Sequence, residues 1–168
     1  MLPLRGAARR SYGILAWMSR ENVELVKHLS PTGVDLVELF VTDQEGDEPL
    51  VSGSSDTFAD DFQVRFISGE PGWDMEYRGA EGLIAGWREW LEPWESYRMD
   101  TEELLDAGDE VVTLIRVRAR TARDGVVVEH SPAAVWSISE GKVVAIRFYL
   151  EREQAMKAAG LRQQDVQR

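Results

Sequence analysis

Alternating apolar runs joined by short turns dominate the second half of the chain and leave it few folds to choose from. The runs 111–117 and 126–130 meet at Asp124-Gly125, and the runs 135–138 and 143–150 meet at Glu140-Gly141. Turns of this kind join neighbouring antiparallel strands. Ahead of them lie segments of helical period: Val23, Val26 and Leu29 over 19–29, Leu36, Leu39 and Phe40 over 35–40, and Leu83, Trp87 and Trp90 over 81–91. A further helix is expected to start near Glu151. Such a meander can bury its apolar face only by curling around the helices, which gives an α+β roll: a cone-shaped, curved antiparallel sheet wrapped round N-terminal helices and enclosing an apolar cavity.

Length and charge narrow the chemistry. At 168 residues the chain is long enough for one domain with a full core. It contains no cysteine, so disulfides, thiolate nucleophiles and zinc–cysteine sites are excluded, in keeping with a cytoplasmic location. With 19 Lys+Arg against 30 Asp+Glu, the formal charge of −11 repels phosphate backbones, and nucleic acid is not an expected partner. Residues 1–17 differ from the rest, with Arg5, Arg9 and Arg10 and no acid. Their only apolar stretch is too short to span a bilayer. They are expected to be an extension, disordered or a mis-assigned start, with an ordered extra element as the alternative. Ser19, with Glu21 behind it, is a natural helix N-cap. The domain then runs over 18–161 and a tail over 162–168. The acidic connection from Asp43 to Asp56 has no period and is expected to be a surface loop.

The run Tyr77-Arg78-Gly79-Ala80-Glu81-Gly82 ahead of an aromatic helix, then Trp94-Glu95-Ser96-Tyr97-Arg98 and Asp106-Ala107-Gly108-Asp109-Glu110, resembles the SnoaL-like branch of the nuclear transport factor 2-like superfamily. The closing strands from Val135-Trp136 to Tyr149-Leu150-Glu151-Arg152-Glu153 agree. The resemblance covers nearly all of 18–161 and implies a cone-shaped α+β fold, a cavity against the concave sheet face, and a homodimer. It leaves the reaction open, because the superfamily includes ketosteroid isomerases, polyketide cyclases, epoxide hydrolases and plain binding modules.

Strand parity then selects the cavity face. Thr113, Ile115 and Val117 point inward, as do Val144, Ile146 and Phe148 on the last strand, and the family's closing pattern, carried back from Trp136, implies that Val128, His130, Ala134 and Trp136 do too. Arg116, Arg118, Glu129, Arg147 and Tyr149 point outward, onto the face that would meet a second copy. The expected ligand pocket therefore comprises Trp87, Thr113, Ile115, Val128, Ala134, Trp136, Ile146 and Phe148. The aromatic stripe on the third helix reads as core facing the sheet as readily as a ligand platform.

Family catalytic sets do not carry over. The position resembling the isomerase oxyanion-hole aspartic acid is Ala134, that resembling its tyrosine falls near Leu29 or Ser30, and that resembling the epoxide-hydrolase last-strand aspartate is Phe148. His130 remains as the inward titratable candidate, with Glu70 and Asp74 in the loop that in isomerases delivers the base. His130 is a catalytic residue or a wall residue. Two histidines far apart, and no glycine-rich phosphate motif, give no reason to expect a metal or cofactor. Two functions stay open: a cofactor-independent isomerase, cyclase or hydrolase acting on a small apolar or carbonyl-bearing molecule, and a non-catalytic module that binds or senses one.

Overall fold

The computed structural model describes residues 6–42, 56–162 and 164. The elements run α1 (Gly6–Leu29), β1 (Thr32–Asp35), a π-helical turn (Glu38–Thr42), β2 (Phe58–Ile67), β3 (Met75–Arg78), α2 (Gly79–Leu91), β4 (Trp94–Asp106), β5 (Glu110–Thr121), β6 (Val127–His130), β7 (Ala133–Ser139), β8 (Lys142–Tyr149) and α3 (Arg152–Ala158). The strands form one large curved, unclosed sheet in the order β1-β4-β5-β7-β8-β2-β3, with β6 beside the far end of β5. The architecture is α+β, as the alternating runs and helical periods require.

Three local readings need correction. Helix α1 does not start at Ser19 but runs on from Gly6. The Ser19 hydroxyl donates to the Asp106 carboxylate on β4 instead of capping. Asp35 does not open a helix; it ends β1, and its carboxylate accepts from the backbone N–H groups of Val37 (3.0 Å) and Tyr97 (3.1 Å), fixing the start of the π-helical turn and pinning it to β4. The sheet is not wholly antiparallel, since β2 pairs with β8 in parallel. Alternation in the stretch around 62–66 marks a strand but carries nothing about its partner's direction; a long crossover through α2 permits the parallel pairing. The expected acidic loop falls almost wholly on 43–55, outside the described residues.

The hairpin between β7 and β8 follows its sequence. Glu140 (φ 52°) and Gly141 (φ 75°) both take the left-handed conformation that a tight hairpin turn demands. A bulge just beyond it changes the phase of β8, so that Val143 pairs with Ile138 and is fully buried, while Val144, expected inward, is only half-buried.

The sheet is buried on both faces at one end. Inside, Val111, Ile115, Ala134 and Ile146 pack with Phe66, Trp87 and Leu91. Outside, Val112, Leu114, Val135 and Tyr149 form a second core with Ala155 of α3. Tyr149 does point away from the cavity, but α3 covers it and only 7% is exposed. It is therefore removed from the outer polar face on which parity had set it.

Candidate functional site

The concave sheet face, the end of α1, the π-helical turn and α2 surround a cavity of about 170 Å³. Strands contribute Met99, Thr101, Thr113, Ile115, Ala134, Trp136, Ile146 and Phe148; the helical side contributes Leu29, Leu36, Leu39, Phe40, Leu83, Ile84 and Trp87. Alternate residues of β5 (Thr113, Ile115) and of β7 (Ala134, Trp136) face this space, which is why parity finds them. Its few polar groups already have partners. Ser30 donates to the Val26 carbonyl (2.6 Å), Thr101 to the Pro31 carbonyl (2.8 Å), and the Trp136 indole to the Thr113 hydroxyl (3.2 Å). No acidic, basic or phenolic side chain is among the described residues lining it. Leu29, Ser30, Ala134 and Phe148, at the positions where relatives carry catalytic groups, all line the cavity, and none of them titrates.

Of the residues expected to form the pocket, Trp87, Thr113, Ile115, Ala134, Trp136, Ile146 and Phe148 line this cavity and Val128 does not. Val128 lies opposite Ala119 near the end of β5, on β6, and is half-buried. Two residues along the same strand, His130 lies opposite Val117. It faces inward by register, yet it does not line the cavity. Its Nε2 lies 3.1 Å from the hydroxyl of Tyr97, with the two rings edge to face at 5.9 Å. Burial pushes the His130 pKa down, against a smaller upward pull from the Glu151 carboxylate, so the neutral imidazole is favoured.

Tyr97 is the residue that the sequence reading left out. It is 2% exposed. Burial pushes its pKa up, and a hydrogen bond with Trp90 works in the other direction. Its signal was available: Tyr97 and Met99 alternate on β4 as Thr113 and Ile115 do on β5, but the turn-rich approach to β4 hid that strand's length. Tyr97 and Trp90 line a second, smaller chamber of about 20 Å³, together with Pro132, Tyr149 and Leu150. That is room for one water. Trp87, Met99, Ile115 and Phe148 line both spaces and form the partition between them.

The loop acids stand apart. Glu70 and Asp74 are exposed and line neither space. Asp74 accepts from the Ser68 backbone (3.3 Å) and lies 3.8 Å from Arg65, so the loop is folded on itself. No grouping of three His, Asp or Glu side chains suited to a metal occurs among the described residues, and no described helix is long and apolar enough to cross a membrane.

Residues 47–146 match the family model of the SnoaL-like domain. The chain belongs to the SnoaL-like family, within the nuclear transport factor 2-like superfamily. Solved structures share the fold. A phenazine biosynthesis-related protein from Pseudomonas aeruginosa superposes with a TM-score of 0.57 at 13% identity, covering 90% of this chain and 92% of that one. An NTF2-like protein of unknown function from Burkholderia pseudomallei K96243 gives 0.53 at 16% identity, covering 82% and 95%. An NTF2-like protein from Burkholderia thailandensis E264 gives 0.52 at 25% identity, covering 69% and 86%. No curated protein matches the chain.

Proposed function

We propose that this SnoaL-like protein binds a small, mostly apolar molecule, about the size of one substituted aromatic ring, between α2 and the concave sheet. The observation that carries this is the cavity itself: about 170 Å³, lined by aliphatic and aromatic groups, with each hydroxyl donor already engaged. An apolar cavity of about 150 Å³ stays dry and takes up benzene, so a void of this size and lining favours a similar guest. A four-ring steroid would have to open the walls. Calorimetric titration with toluene and with a steroid tests the reading: saturable binding of toluene alone supports it, and absence of toluene binding overturns it.

A second reading is cofactor-independent isomerase, cyclase or hydrolase chemistry with His130 transferring the proton. The Tyr97–His130 hydrogen bond and the lowered pKa of the imidazole favour it, since a general base must be unprotonated at working pH. It remains second because a molecule in the main cavity meets the partition before the imidazole. The proposal extends to a homodimer through the outer sheet face, where the ion pairs Arg118–Glu129 and Arg120–Glu95 are exposed.

A further inference from the structure

We infer that the Tyr97 hydroxyl, backed by His130 and Trp90, is a hydrogen-bonding subsite for the polar end of a ligand whose apolar body fills the main cavity. The inference rests on the cavity reading above and adds to it the class of ligand: a ring or short hydrocarbon carrying a ketone or similar oxygen on an arm.

Hydrogen-bond capacity leads to this. A phenol has one donor hydrogen and two acceptor lone pairs. The Trp90 indole is a donor only, so its hydrogen bond to Tyr97 can use at most one lone pair. His130 Nε2, at 3.1 Å, takes either the hydrogen or the other lone pair, according to its tautomer. At least one valence of Tyr97 is left over in both cases. With Nε2 carrying the proton, that valence is the O–H, which suits a carbonyl; with Nε2 bare, it is a lone pair, which suits a hydroxyl. The main cavity has no free hydroxyl hydrogen to offer a carbonyl, because each lining donor is already used.

Geometry supplies the path. Tyr97 lines the small chamber, and four residues line both that chamber and the main cavity. One of these is Met99, an unbranched thioether that changes rotamer at low cost. A two- or three-atom arm passing Met99 would replace the single water that the chamber can hold. Tyr97 would then touch the ligand, and His130 would act through it by setting which way the hydroxyl points.

The test compares butylbenzene with 4-phenylbutan-2-one, which differ by a carbonyl at the third carbon of the arm, by calorimetry on the wild type and on Tyr97→Phe. The expected result is that both bind the wild type, and that Tyr97→Phe weakens the ketone about fivefold to tenfold while leaving the hydrocarbon within a factor of two. Retained hydrocarbon binding also shows that the variant is folded. His130→Phe, which keeps Tyr97, should weaken the ketone less than Tyr97→Phe does. Equal affinities of both variants and the wild type for the ketone would overturn the subsite while leaving the cavity reading intact. Binding of neither compound to the wild type would overturn the cavity reading and this inference with it.

Discussion

His130 and Thr113 show how single polar groups behave in an apolar wall. His130 is held below its ordinary value of 6.5, chiefly by burial. As pH falls through 6.5, the unfolded chain takes up a proton that the folded chain refuses until lower pH, so the folded state loses stability across that window. The contribution is fully present above 6.5. A two-dimensional NMR titration should give His130 a midpoint below 6.5, and His130→Gln should flatten the stability–pH profile between 6.5 and that midpoint. Thr113 is 1% exposed and accepts the Trp136 indole N–H. In Thr113→Val the shape survives but that donor is orphaned in the cavity wall, which should cost about 1–3 kcal/mol in urea unfolding.

Among the elements, α2 and α3 make opposite demands on the sheet. Helix α2 approaches β2 and β3 so closely that a Cβ on Gly86 would lie 2.6 Å from Cε2 of Phe66 and 2.9 Å from Cδ2 of Tyr77. Alanine would gain about 1 kcal/mol of helix propensity, but overpacking of about 1–3 kcal/mol should exceed it. Phe66 is hemmed in on two sides, stacked against Phe148 at 5.0 Å and edge-on to Trp87 at 5.2 Å. Gly86→Ala should therefore lower the melting temperature. Helix α3 is held by Arg152, which bonds Glu102 and the carbonyls of Ile115 (2.5 Å) and Pro132 (3.4 Å). Its hydrogen bond is the largest cause keeping the Glu102 pKa below its usual 4.5. That stabilisation is present above 4.5 and lost as pH falls below it. Arg152→Ala should cost about 1–2 kcal/mol and raise amide exchange in α3.

Legibility of these elements followed from how local their signals are. Inward Thr113, Ile115, Ala134 and Trp136 were readable because period-2 alternation is a property of one strand. The parallel β2–β8 pair, the phase change at Val143 and the shielding of Tyr149 by α3 depend on partners far away in sequence. The inward side of Tyr97 was readable from its alternation with Met99, but its importance comes from contact with His130, far away in sequence.

At the scale of the whole molecule, the sheet divides its two faces between holding a cavity and carrying charge. The inner face is almost wholly apolar, whereas beyond α3 the outer face presents Arg116, Arg118 and Arg120, each paired with a glutamate of a neighbouring strand. Light scattering at micromolar concentration should give twice the 19.0 kDa chain mass if that face is the two-fold contact, and the single mass if it is solvated. The central claim concerns the other face. Methyl NMR during toluene titration addresses it most directly, because the two cores report separately. The account predicts saturable shifts at Leu36, Leu83, Ile115 and Ile146, which line the cavity, with Leu105 and Leu114 of the outer core unmoved. Shifts confined to the outer core, or none at any concentration of toluene, would contradict it.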